Sequence, residues 1–277
     1  MKICTHEQKR GFTLLELLVV VSIILILASL LLVSISAVQE RGRSAFCKNN
    51  LKQLSLTYLL YIEDSNDKLP GNDYSGCGGF TKYPIWVTGY LNNGSCSFDY
   101  TNTALLTDPQ FAQFGNYIKT PKIYKCPSDK KLFISDIYGG DRIKDGEIKA
   151  QKVRSYSLNW NLGWDKNFDR GASLAPDDAD IRNNIFQILD PVNCLSFLDV
   201  YSESICWAWF GVKKDKFIMY PAAYHGKIGN LAFVDGHVME KKWKDPRTMD
   251  YKKISFHSHN QVSVENLDVN WLLGKKN

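Results

Sequence analysis

The sequence has no Cys-x-x-Cys pair among its seven cysteines, which weakens a zinc or thiol-redox reading. No Lys-Ser or Lys-Thr follows the glycine-rich stretch Gly76-Cys77-Gly78-Gly79, so a phosphate-cradling loop is not expected there. The carboxylates do not follow the spacing of an EF-hand. A net charge of +5 on 277 residues is too small to argue for nucleic acid as a partner. No serine or cysteine nucleophile is marked beside a His–Asp arrangement, and the expectation is that the chain is not an enzyme. Residues 12–33 lack the most. They contain no Pro, no Gly and a single charge, Glu16.

That run, from Phe12 to Val33, is 22 residues long. A helix needs about 20 apolar residues to cross the hydrocarbon core of a bilayer. Lys2, Lys9 and Arg10 stand on its N-terminal side, so the positive-inside bias puts the N-terminus in the cytoplasm and exports the chain beyond residue 35. Glu16 is costly inside a membrane, by about 2–3 kcal/mol, unless it is paired or lies near the headgroups. A signal peptide is the competing reading. Ala28-Ser29 and Ser34-Ile35-Ser36-Ala37 offer small residues for cleavage, but the apolar run is too long for that.

Gly11-Phe12-Thr13-Leu14-Leu15-Glu16, after a short basic leader and before an apolar run, resembles the processing site of type IV prepilins and type II secretion pseudopilins. The resemblance implies that a prepilin peptidase cuts between Gly11 and Phe12 and that Phe12 becomes the N-methylated terminus. It implies that Glu16 pairs with the N-terminal amine of a neighbouring subunit during assembly. Removing the leader takes Lys2, Lys9, Arg10 and Glu7, so the mature chain keeps +3.

Cys4 lies in that leader, and six cysteines remain: Cys47, Cys77, Cys96, Cys126, Cys194 and Cys206. In an oxidising compartment an even count reads as up to three disulfides, with 15 possible connectivities. The arrangement expected is Cys77–Cys96 and Cys194–Cys206, each closing a local loop, with Cys47–Cys126 tying a helix to the domain.

Cys47, Leu51, Leu54, Tyr58 and Ile62 recur on one helical face. One long helix is therefore expected from about residue 13 to 63, about 75 Å at 1.5 Å per residue. Residues 65–122 are rich in turn formers, including Asn92-Asn93-Gly94, with a short helix opening near Asp108-Pro109. Gly139-Gly140-Asp141 reads as a loop or hairpin. Strands are expected at 154–160, 194–200 and 205–212, with a hairpin tip at Lys213–Lys216. The tail from Gln261 to Leu273 suits a short closing helix or strand.

Asn49-Asn50-Leu51-Lys52-Gln53-Leu54 with Tyr61 and Leu69-Pro70, then Tyr124-Lys125-Cys126-Pro127-Ser128-Asp129, resemble elements of one large pseudopilin-like subfamily. His225, ten positions before Asp235-Gly236, resembles that subfamily's H-X9-DG motif. Asp235-Gly236 between two apolar runs signals a hairpin, with a type I′ turn expected. Three roles for the motif stay open: a turn to which His225 bonds, a metal site of His225, Asp235 and His237, or a His–Asp catalytic pair. His257-Ser258-His259 reads as an exposed polar strand. Asp169, Asp177, Asp178 and Asp180 are oxygen donors that could take Ca²⁺, and a solvated acidic turn is the alternative. No other cofactor is expected.

The fold class expected is α+β. A long N-terminal helix, spanning a membrane with its first half, packs on an antiparallel sheet domain with loop-rich insertions, as in pilins. The organisation expected is a leader at 1–11, a membrane or filament-core helix at 12–34, its amphipathic continuation at 35–64 and an exported domain at 65–277. The resemblance implies a structural subunit of a type II secretion pseudopilus or type IV pilus-like filament. Prepilin peptidase, other pilin-like subunits and an inner-membrane assembly platform would be its partners. The location implied is the bacterial inner membrane, single-pass, with the domain periplasmic or exported, and the filament after assembly. The alternative is a membrane-tethered binding or surface protein that is processed without forming a filament.

Overall fold

A computed structural model describes residues 12–91, 96–135, 148–165, 175–177, 180–251 and 261–274, without side chains at 31–37, 97, 134–135 and 148. Gly11 and the leader, Asn92–Gly94, Gly139–Asp141, Asp169, Asp178, His257 and His259 lie outside the described residues.

The first helix, α1, runs Leu14–Asp64, close to the limits that the apolar periodicity sets. The chain divides into two compact units, Met1–Gly42 and Arg43–Asn277. In the first unit nearly every described side chain of α1 is exposed. Leu14 is 87% exposed and Leu30 67%, with Val19 to Leu27 between them also open. Among the described residues no helix is long and apolar enough to cross a membrane. The described side chains of the apolar run stop at Leu30.

Among the described residues the second unit contains α2 (Ala104–Thr107), ten short strands and a closing helix, α3 (Leu267–Leu272). The strands are β1 (Phe133–Ser135), β2 (Ile148–Ala150), β3 (Tyr156–Asn159), β4 (Leu195–Asp199), β5 (Trp209–Phe210), β6 (Val212–Lys213), β7 (Lys216–Phe217), β8 (Ile228–Phe233), β9 (Val238–Lys242) and β10 (Gln261–Val262). The main sheet has the order β5-β3-β4-β8-β9 and is antiparallel except for the β3–β5 pair. A three-stranded sheet, β10-β7-β6, and the β1–β2 pair stand beside it. The architecture is thus α+β.

The expected helical stripe is the one that buries. Cys47, Leu51, Leu54, Tyr58 and Ile62 are all in one core with Trp86, Phe114, Tyr124 and Phe197. The Tyr58 and Phe197 rings meet edge-on at 5.9 Å. Burying each such side chain contributes about 1.5–3 kcal/mol. A second core gathers Trp160, Trp164 and Trp209, with Leu198 and Leu231 from the sheet. Side chains alternate faces along a strand. Phe197 therefore joins the helix-side core, whereas Leu198 joins the other. Asp199, two residues beyond Phe197, returns to the helix side.

The strands at 154–160, 194–200 and 205–212 are shorter than expected. The last breaks into β5 and β6 at Gly211, where a Cβ would collide with the Trp160 ring. The Lys213–Lys216 hairpin forms, with Asp215 at φ 59°. The 225–236 motif ends in a hairpin, β8–β9, but its turn is not type I′. The Gly236 amide donates to the Phe233 carbonyl at 2.9 Å and the Phe233 amide to the His237 carbonyl at 3.0 Å. Gly236 has φ 87°, and Asp235 is not in the left-handed region. This is a three-residue loop in which a type I turn is followed by a left-handed glycine.

Of the three expected disulfides one is formed, Cys77–Cys96. Cys194 and Cys206 are not joined by a disulfide. They flank β4 and belong to different cores, Cys194 to that of α1 and Cys206 to the tryptophan-rich one. Cys47 and Cys126 are also unbonded, although they share one buried site.

Candidate functional site

Two places carry the motifs of the sequence. The first is the start of α1. Thr13 sits just before the helix, and its hydroxyl accepts the Glu16 amide at 3.2 Å. The Glu16 carboxylate reaches back to accept the Thr13 amide and the Thr13 hydroxyl, both at 2.9 Å. This reciprocal pattern is a capping box. Its signal was present in the sequence, as Thr13-Leu14-Leu15-Glu16 opening an apolar run. Phe12, beside it, is 75% exposed.

The second place is buried in the second unit and unites both later motifs. Cys126 Sγ lies 3.4 Å from His225 Nε2, and Ser128 Oγ lies 3.4 Å from His225 Nδ1. The Cys-Pro-Ser-Asp turn thus holds the histidine of H-X9-DG. Asp129 anchors the turn, accepting from Lys125 Nζ and, at 2.7 Å, from the Ser155 hydroxyl. Opposite stand Cys47 from α1 and Asp199 from the end of β4. The Cys47 thiol donates to Asp199 Oδ2 at 3.5 Å, and the Tyr156 hydroxyl donates to Cys47 Sγ at 3.1 Å. Tyr156 and Asp199 are paired neighbours on β3 and β4, which places both against the helix.

The donor atoms of Cys47, Cys126, Asp199 and His225 all lie within 4.8 Å of one another, and all four residues are buried. Burial pushes the Cys47 and Cys126 thiols up and raises the Asp199 carboxyl well above the usual carboxylate range. Cys126 and Asp129 push Asp199 the same way, whereas the hydrogen bond from Cys47 opposes them. Asp199 Oδ1 is buried without a hydrogen-bond partner.

Of the three roles left open for the motif, one grouped His225 with Asp235 and His237; His225 stands beside Cys126 and Ser128, and Asp235 beside His237. Asp235 caps its own turn. Its Oδ1 accepts the His237 amide at 3.1 Å and lies 2.6 Å from His237 Nδ1. Lys52 Nζ donates to the Gly236 carbonyl at 2.7 Å, which fastens the hairpin tip to α1. Of the acidic residues considered for Ca²⁺, Asp177 faces Lys213 at 3.8 Å and Asp180 follows it in a turn. In the sequence Cys47 is legible as a stripe residue, Cys126 as part of the Cys-Pro-Ser-Asp element and both as disulfide partners, but not as members of one cluster with His225. Asp199 carries no signal at all, because nothing in Leu195–Asp199 marks a ligand until the strand pairing is known.

No curated protein and no solved structure matches the chain. Residues 8–32 match the family model described as the prokaryotic N-terminal methylation motif, a span that includes Lys9, Arg10, Gly11, Phe12 and Glu16 and most of the apolar run.

Proposed function

We propose that this chain is a pilin-like structural subunit. Prepilin peptidase cuts it between Gly11 and Phe12 and methylates Phe12, and the product assembles with other pilin-like subunits into a type II secretion pseudopilus or a type IV pilus-like filament. The observation that carries this reading is the methylation motif at residues 8–32. The exposed apolar side chains of α1 supply the physical reason for assembly. An apolar surface that size is stable only against lipid or against other apolar helices. Before assembly the Phe12–Val33 run is the anchor in the inner membrane, with the domain on the exported side. An inner-membrane platform then extracts it, and neighbouring copies replace the lipid. Contacts of this head-to-tail kind do not close and so give an open helical polymer.

The test is co-expression with a prepilin peptidase, with intact-mass measurement and electron microscopy of the product. The mature chain is expected to begin at Phe12 with one added methyl, and Gly11→Ala is expected to leave the leader attached. Unchanged processing in Gly11→Ala would refute the cleavage site. Processed chains that never polymerise with their assembly machinery present would instead identify a membrane-tethered surface or binding protein.

A further inference from the structure

We propose that Cys47, Cys126, His225 and Asp199 bind one Zn²⁺ ion as a closed structural site. The inference is independent of filament assembly. Four residues from four distant stretches meet here: α1, the Cys-Pro-Ser-Asp turn, the end of β4 and the loop before β8. Their donor atoms lie within 4.8 Å of one another. Two of the separations are 3.5 Å, from Cys47 Sγ to Asp199 Oδ2, and 3.4 Å, from Cys126 Sγ to His225 Nε2. A tetrahedral zinc site with bonds of 2.0–2.3 Å has ligand-to-ligand edges of about 3.3–3.8 Å. The cluster is already close to that size.

The chemistry of the donors selects the ion. Two sulfurs and an imidazole are poor ligands for Ca²⁺ or Mg²⁺, which take oxygen. Four protein donors fill a tetrahedron and leave no position for substrate, so the site is structural rather than catalytic.

Asp199 argues for a cation. It is 0% exposed, and its Oδ1 has no hydrogen-bond partner. A buried acceptor left unmade costs about 1–3 kcal/mol. A disulfide between Cys47 and Cys126 would satisfy the sulfurs and leave that oxygen as it is. A divalent cation engages the carboxylate and both sulfurs together.

The surroundings suit such a site. Ser128 Oγ lies 3.4 Å from His225 Nδ1 and can accept its proton, leaving Nε2 for the metal. The Tyr156 hydroxyl and the Ser128 amide donate to the Cys47 and Cys126 sulfurs. Such donors stabilise thiolates, the form in which cysteine binds metal.

The experiment uses the full chain, extracted in mild detergent without chelator. Elemental analysis is expected to give one zinc per chain. Alkylation mass spectrometry is expected to find Cys47 and Cys126 reduced and protected until zinc is removed. Replacement by Co²⁺ is expected to give the intense visible bands of a tetrahedral, thiolate-bound ion. Asp199→Asn and His225→Ala are expected to abolish stoichiometric zinc. Tyr156→Phe, which removes only an outer contact, is expected to weaken zinc binding about 10-fold. A Cys47–Cys126 disulfide as the main species would overturn the proposal. So would a folded chain that takes up no zinc when it is supplied, or an octahedral Co²⁺ spectrum. None of these outcomes depends on cleavage at Gly11.

Discussion

The Glu16 carboxylate accepts the Thr13 backbone amide at 2.9 Å while the Thr13 hydroxyl accepts the Glu16 amide at 3.2 Å. The residue proposed to carry a charge for assembly therefore also ends its own helix. Loss of a helix N-cap costs about 1 kcal/mol. Glu16→Ala removes the carboxylate half of the box and the charge together, leaving only the Thr13 hydroxyl on the residue 16 amide, so a defect in that variant is ambiguous. Glu16→Gln keeps an oxygen for the Thr13 amide and removes only the charge. Hydrogen exchange at residues 13–18 is expected to accelerate in Glu16→Ala and to stay near normal in Glu16→Gln. Filament yield is expected to fall in both. Normal polymerisation of Glu16→Gln would show that the carboxylate acts only as a cap.

Leu51 and Leu56 test the helical stripe. Leu51 is 0% exposed in the core of the second unit, whereas Leu56 is 46% exposed on another face of α1. Leu51→Ala is expected to destabilise the domain by about 2–5 kcal/mol. Leu56→Ala is expected to change stability by about 0.5 kcal/mol or less, as surface substitutions do. Denaturant unfolding of the full chain in detergent measures both. A larger loss at Leu56 would overturn the assignment of the buried face.

The stripe was legible because a helix repeats locally, so five residues within sixteen positions declare their common face. Thr13 and Glu16 form an equally local pattern, although Glu16 is read from the sequence only as a charge for assembly. The hairpin at Asp235-Gly236 was readable as a hairpin, but its turn type depended on Asp235 keeping an ordinary backbone angle, which the dipeptide does not dictate. The buried cluster was not legible. Its members are spread over about 180 positions, and only the pairing of Tyr156 with Asp199 puts that carboxylate opposite Cys47. The cysteines misled in the same way. Cys194 and Cys206 are near in sequence, yet β4 and the turn after it carry them into different cores.

Cys77 and Cys96 close a loop of sequence separation 19. A loop of that size is worth about 3 kcal/mol in the chain-entropy account. Asp99, three residues beyond that loop, holds it as well, accepting the Gly78 amide at 3.0 Å and the Tyr90 amide at 2.9 Å. Replacing both cysteines by serine is expected to lower stability by about 3 kcal/mol. Hydrogen exchange is expected to rise first at residues 76–91 and 96–105, with β4 and β8 still protected. Equal loosening of the main sheet would show that the loop is not a separate cooperative unit.

Lys152 gives the second unit a pH dependence of definite sign. It is 1% exposed, and burial lowers its amine to a pKa of about 7. The Nζ atom donates to the Ser202 carbonyl at 2.8 Å and the Ile205 carbonyl at 3.1 Å, and stands 4.3 Å from the centre of the Phe133 ring. In the unfolded chain a lysine keeps its proton up to about pH 10.4. Between about pH 7 and 9, therefore, the unfolded chain binds a proton that the folded chain releases. Stability attributable to this residue then rises with pH across that window, by at most about 1.4 kcal/mol per pH unit. Below about pH 7 both states are protonated and the slope vanishes. Lys152→Met keeps much of the side chain's volume and removes the titrating group. The difference in unfolding free energy between the full-length wild type and Lys152→Met, measured from pH 6 to 9, is expected to move in favour of the wild type as pH rises. A difference that stays flat would mean that Lys152 remains charged in the fold, with the carbonyls and rings around it supplying what solvent does elsewhere.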